Sequence, residues 1–90
     1  MTTSKEAYEA IAKDLPRLRA EVYRVIAKAS EWSLPFKGYT CEQVETTMGL
    51  KHQTVSPRIT ELKQSGRIVM DGRRRRTSSG KWAYVWVVAQ

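Results

Sequence analysis

The chain is poor in the residues that carry most enzymatic and metal chemistry. It has one cysteine, Cys41, and one histidine, His52. A single cysteine excludes an internal disulfide, and one cysteine with one histidine speaks against a structural zinc site, which takes four such ligands. Cys41 is expected as a small buried side chain and His52 as a polar helix residue. The sequence shows no glycine-rich phosphate loop, and with one histidine and one cysteine no nucleophile–base–orienter set is expected. Neither enzymatic activity nor a cofactor or metal is therefore expected. No apolar run approaches the roughly 20 residues of a membrane span. The opening stretch MTTSKEAYEAIAKDLP is polar and partly acidic, unlike a secretory signal, so a cytoplasmic location without membrane attachment is expected.

Acidic residues are scarce in one particular place. Residues 51–81 hold nine basic side chains (Lys51, Arg58, Lys63, Arg67, Arg73, Arg74, Arg75, Arg76 and Lys81) against Glu61 and Asp71 alone. The rest of the chain is balanced, seven against seven, so this third carries the whole net charge of +7. A field so localised points to a polyanion, with nucleic acid first and an acidic protein or membrane surface second. Ninety residues, 41% of them hydrophobic, suffice for one small domain over 1–90 and not for two.

The spacing predicts four helices and a hairpin. Thr3 and Glu6 form a capping box before an apolar stripe at Ala7, Ile11 and Leu15, giving a helix over 4–13. After DLP, with Pro16 tolerated in a first turn, Leu18, Val22, Val25, Ile26 and Ala29 line one face of a helix over 16–30. Thr40 and Gln43 form a second capping box for a short helix over 41–48, stopped by Gly49. A helix over 52–65 ends at Gly66, with Val55, Ile59 and Leu62 on its apolar face. RIVMD (67–71) and WAYVWVV (82–88) read as strands, and GRRRRTSSGK (72–81) as the polar loop joining them into a wing over 67–88.

The stretch TCEQVETTMGLKHQTVSPRITELKQSGRI, followed by TSSGKWAYVWV, resembles a winged helix-turn-helix domain of the MarR-like kind and is similar to small phage and prophage regulators. Leu50, Thr54, Val55, Leu62, Gly66 and Ile68 stand in that family's places. The resemblance spans Tyr39 to Val88, with 41–65 as the helix-turn-helix and Leu15–Ala29 as the family's first helix. It implies an α+β, mainly α fold: a three-helix core, an N-terminal helix and a C-terminal β-hairpin wing. It also implies the helix over 52–65 in the DNA major groove and the wing on the backbone or in the minor groove. The double-stranded DNA partner would bring the protein to the nucleoid.

Within that helix, Pro57 is expected in the first turn, if the helix begins at Gln53 or Thr54. Only the hydrogen bond to the Gln53 carbonyl is then at stake. Pro57 points away from the apolar face, with Gln53 and Thr60 beside it and Ser56 on the flank. Gln pairs with adenine, Ser donates or accepts, and a proline ring can meet a thymine methyl; the bland alternative is that Pro57 only stiffens the helix start. Thr54 and Arg58 on the flanks are expected to reach phosphates or base edges, and His52 to lie near a phosphate.

In the wing, Arg73, Arg74, Arg75 and Arg76 point alternately to both faces, so two or three of them are expected on phosphates, with Thr77, Ser79 and Lys81 adding contacts. A merely solvated loop, or one that meets RNA, stays open. Trp82, Tyr84, Trp86 and Val88 share one strand face and Ala83, Val85 and Val87 the other. A two-stranded wing buries one face on its own helices. The other is exposed, or covered by the N-terminal helix, a second copy in a homodimer or a protein partner. Alternatives to a small transcriptional regulator are a protein-interaction winged helix that binds a host or partner factor and an architectural, nonspecific nucleic-acid binder.

Overall fold

The computed structural model describes residues 15–90. The helix expected over 4–13 lies outside the described residues. Three helices, α1 (Leu15–Ser30), α2 (Cys41–Met48) and α3 (His52–Gln64), precede an antiparallel hairpin of β1 (Ile68–Arg76) and β2 (Trp82–Val88). This is a mainly helical α+β domain whose layout is compatible with a winged helix. Among the described residues, no helix is long and apolar enough to cross a membrane.

The apolar periodicity of the three helices converges on one core. Val22 and Ile26 of α1, Val44 of α2, Val55, Ile59 and Leu62 of α3, and Ile68 at the start of β1 are buried together. Removing each such side chain from water contributes roughly 1.5–3 kcal/mol. Tyr39, Leu50, Trp86 and Val88 pack around this cluster as its half-buried margin.

Local chemistry fixes where each element begins and ends. The Thr40–Gln43 capping box forms as expected: Gln43 N–H donates to Thr40 Oγ1 (3.2 Å) and Thr40 N–H to Gln43 Oε1 (2.9 Å). Gly49 caps α2 at φ 67°, a left-handed conformation that costs glycine little. Leu50 N–H donates to the Glu45 carbonyl (3.1 Å), which closes the turn into α3. At the far end of α3, Arg67 N–H returns to the Leu62 carbonyl and Gly66 N–H to that of Lys63, both at 3.0 Å, a Schellman pair that ends the helix.

The loop after α1 does more than connect. Gly38 N–H caps the Ala29 carbonyl (2.9 Å), and Tyr39 exchanges backbone hydrogen bonds of 3.1 and 2.8 Å with Trp86. Tyr39 therefore borders β2 on the edge opposite β1. Ser30 Oγ accepts from Val88 N–H (3.0 Å) and donates to the Ile26 carbonyl (2.7 Å), tying the end of α1 to the end of β2.

The hairpin departs from the sequence reading in two ways. First, the arginine run is strand and not loop: β1 continues to Arg76, and only residues 77–81 turn the chain. The strand survives because Asp71, Gly72 and Arg73 bulge opposite Val85, resetting the register from Met70–Trp86 to Arg74–Tyr84. Asp71 holds the bulge, with Oδ1 accepting from Arg73 N–H (3.0 Å) and Oδ2 from Arg73 Nε (2.8 Å). Second, both faces of β2 are covered towards its end. Trp86 and Val88 meet the helical core, while Val85 and Val87 are buried against Gly38. Among the described residues, Gly38 at the end of the loop over 31–38 supplies cover to Val85 and Val87. On the aromatic face of β2, Trp82 and Tyr84 are each more than half exposed, and Val69 and Met70 of β1 are exposed as well.

Candidate nucleic-acid interface

On α3 the sequence pattern separates the faces cleanly. Val55, Ile59 and Leu62 are buried, Gln53, Pro57 and Thr60 are exposed, and Thr54 and Ser56 lie between. Thr60 Oγ1 donates to the Ser56 carbonyl (3.2 Å), bonding back along the helix. The helix begins at His52, with Lys51 as its N-cap, so Pro57 is its sixth residue and not part of its first turn. The early start follows from Lys51, whose carbonyl already accepts from Thr54 and Val55 (3.0 and 3.1 Å). Having no N–H, Pro57 leaves the Gln53 carbonyl without its usual donor one turn later, on the exposed side.

Arg58 is not on an open flank. It is 8% exposed, with Nη2 donating to Glu61 Oε2 at 3.2 Å and Nε to Oε1. The reason lies in the helical period: Arg58 follows Val55 by three residues and precedes Leu62 by four, which puts it within the buried arc. Glu61 also accepts from Arg19 of α1, at 3.2 Å on each oxygen, and this joins the two helices. Burial pushes the Glu61 carboxyl up, but hydrogen bonds and charge from Arg19 and Arg58 outweigh it and leave the group below its ordinary range. Asp71 is lowered in the same way, with burial opposed by hydrogen bonds from Arg73 and the charges of Arg73 and Arg75.

A depressed folded-state pKa stabilises the fold above the unfolded-state value, near 4. That stabilisation is lost as pH falls through the lower folded value. Urea unfolding at neutral and acid pH is therefore expected to show a Glu61→Gln protein weakened at neutrality, with a shallower loss of stability below about pH 4.5. Parallel acid profiles for the two proteins would contradict this assignment.

The arginine run divides by face. Arg73 and Arg75 point to the loop over 35–38. Arg75 Nη1 donates to the Gly38 carbonyl (2.7 Å) and Gln43 Oε1 (2.8 Å), and Nη2 to the carbonyls of Pro35 (2.8 Å) and Lys37 (2.9 Å). Arg73 donates to the carbonyls of Pro35 (3.1 Å) and Lys37 and pairs with Asp71 (2.6 Å). Burial, then the Arg73 charge, lowers the Arg75 pKa, against the pull of Asp71 and Tyr39. Arg74 and Arg76 lie on the opposite face, exposed, with their guanidinium carbons 5.6 and 4.9 Å from the Trp82 ring centroid. Both distances are within cation–π range, and Arg76 Nη1 also donates to the Gly80 carbonyl (3.2 Å).

The turn is internally bonded. Thr77 N–H donates to the Lys81 carbonyl (2.7 Å), Gly80 N–H to that of Thr77 (2.9 Å), and Thr77 Oγ1 meets Ser79 Oγ at 3.0 Å. Ser78 N–H reaches Glu42 Oε1 (3.0 Å) in the first turn of α2, anchoring the tip. Among the described residues, Lys51, Lys63, Arg67, Arg74, Arg76 and Lys81 are exposed and have no carboxylate at ion-pair distance.

His52 turns towards α2. Its Nδ1 lies 3.0 Å from Glu45 Oε2 and 3.8 Å from Cys41 Sγ, and Sγ lies 3.2 Å from the same carboxylate oxygen. Burial, then hydrogen bonding to Glu45 and its charge, pushes the Cys41 thiol up to about 12. Cys41, expected as a buried side chain, is half-buried, and the sequence pattern sets it beside His52 as a pair too small to bind zinc, without including Glu45. The i,i+4 spacing of Cys41 and Glu45 was the signal for one half of the trio. The other half depends on how sharply the Gly49 turn folds α3 back.

No family model matches the chain, and no curated protein or solved structure matches it.

Proposed function

We propose that the protein is a sequence-specific double-stranded DNA binder, a small transcriptional regulator of the winged helix-turn-helix kind, MarR-like as its sequence resemblance implies. The observation that carries this reading is the division of α3: its apolar face is used up in the domain core, while Gln53, Pro57 and Thr60 remain open across a turn closed by Gly49. In this reading, α3 enters the major groove with Gln53, Thr54, Ser56, Pro57 and Thr60 towards base edges. Arg74, Arg76 and Lys81 of the hairpin lie on phosphates or reach a narrow minor groove. Regulation is steric, through occupancy of an operator.

The expected test separates the two arginine pairs. Arg74→Ala with Arg76→Ala should weaken binding to every duplex and reduce the slope of log affinity against log salt by about 2, near one per phosphate contact. Fluorescence anisotropy at several salt concentrations measures both quantities. An unchanged slope would remove the hairpin from the interface.

One observation favours a second reading. Trp32, Leu34 and Phe36 are 44%, 67% and 70% exposed on one loop, an apolar surface suited to a protein. Competition between duplex DNA and a captured partner discriminates the two readings.

A further inference from the structure

Three side chains with different donor atoms converge where α2 meets α3. Cys41 is the first residue of α2, Glu45 lies one turn later on the same face, and His52 is the first residue of α3. Sγ, Oε2 and Nδ1 form a triangle with sides of 3.2, 3.8 and 3.0 Å. Its circumradius is about 2 Å, so a point just off its plane lies at metal–ligand length, about 2.0–2.3 Å, from all three atoms. The Glu45 carboxylate differs from those of Glu61 and Asp71, which are neutralised by arginine. Among the described residues, no Lys or Arg lies at ion-pair distance from it. Among the described residues, the hydrogen-bond partners of this carboxylate are Cys41 and His52, two further potential metal ligands.

We propose that Cys41, Glu45 and His52 bind one divalent transition-metal ion at the helix-turn-helix junction. The donor set of thiolate, imidazole and carboxylate selects zinc and its neighbours cobalt, nickel and copper over magnesium or calcium, which take oxygen ligands. Three protein ligands leave at least one position open, and the 66% exposed His52 side chain gives the ion access from solvent. On binding, the metal–sulfur bond replaces the Sγ–H bond and the proton leaves to the buffer, with no change of oxidation state. The ion would clamp the start of α3 to the start of α2, replacing the thiol–carboxylate and imidazole–carboxylate contacts with three bonds to one centre. Metal would then stiffen the junction that orients α3, whatever α3 binds.

The test uses the full, reduced chain under anaerobic conditions, with cobalt(II) as the spectroscopic probe and zinc(II) as competitor. One equivalent of cobalt is expected to produce a thiolate-to-cobalt charge-transfer band in the near ultraviolet, which zinc abolishes. His52→Ala retains the thiol and is expected to weaken cobalt binding roughly tenfold or more, with Glu45→Gln acting in the same direction. Zinc is expected to raise the melting temperature of the starting protein but not that of Cys41→Ser or His52→Ala, after circular dichroism has shown that both variants are folded. Should either variant not fold, Glu45→Gln supplies the comparison. Absence of the band at stoichiometric cobalt, or an affinity unaffected by loss of His52 and Glu45, would overturn the site and leave the trio as a hydrogen-bonded helix clamp. None of these readouts involves DNA, so a failed metal site and a failed DNA-binding reading are distinguishable.

Discussion

Gly38→Ala is expected to destabilise the domain by about 3 kcal/mol or more, a large part of the total for a chain of this size. An added Cβ would lie 2.6 Å from the Trp86 carbonyl oxygen and 2.8 Å from Cγ1 of both Val85 and Val87. The carbonyl cannot retreat without breaking the paired hydrogen bonds between Tyr39 and Trp86, and both valines are buried. The backbone is also at φ 82°, which costs any other residue roughly 1–2 kcal/mol. Gly49→Ala is the control. Its φ of 67° imposes a similar backbone cost, but nothing lies within 4 Å of the added carbon. Urea unfolding of both variants isolates the packing cost. Equal losses would mean that the loop over 31–38 does not pack on β2 as described.

Arg73→Ala with Arg75→Ala is expected to cost about 2–4 kcal/mol, less than the sum of the charged hydrogen bonds lost, because the freed carbonyls near the surface regain water. The two guanidinium groups cross-link the hairpin to the carbonyls of Pro35, Lys37 and Gly38 and to the Gln43 side chain. Without them the hairpin keeps its own ladder but loses its brace against the loop and α2. Hydrogen exchange should then rise in β1 beyond the bulge before it rises in α3. Lysine is not expected to rescue Arg75, because a single ammonium cannot reproduce the fork that spans four acceptors. Arg74→Ala with Arg76→Ala, on the opposite face, is expected to leave stability within about 1 kcal/mol, since exposed cation–π contacts contribute little more. If the two double variants are equally destabilised, the division of the arginine run by face is wrong.

That division marks how far the sequence could be read. The helix spans of α1, α2 and α3, the Thr40–Gln43 capping box and the stops at Gly49 and Gly66 all follow from local signals within a few residues. They were legible because capping and 3.6-residue periodicity act over such distances. The alternation of the four arginines was legible for the same reason. What they touch was not, because the carbonyls of 35–38 lie almost forty residues earlier in the chain. Compositional reading made the arginine run a loop, since charge and flanking glycines resemble one. The Asp71–Arg73 bulge is what lets it remain strand. The charge of Arg58 points to the surface, but its spacing from Val55 and Leu62 places it in the buried arc. There the periodicity was available, and the charge of the side chain misled. The Cys41–Glu45–His52 trio is half local and half a consequence of the turn.

The proposed function requires that α3 and the hairpin read duplex DNA. Selection from a random duplex pool, with the recovered pool titrated over a range of salt concentrations, tests it most directly. The expected result is a reproducible motif, bound more tightly than the starting pool at every salt concentration, with affinity falling as salt rises. Recovery of no motif, with only weak salt-sensitive binding equal for all sequences, would contradict specific recognition and leave a basic domain whose exposed α3 face serves a different partner.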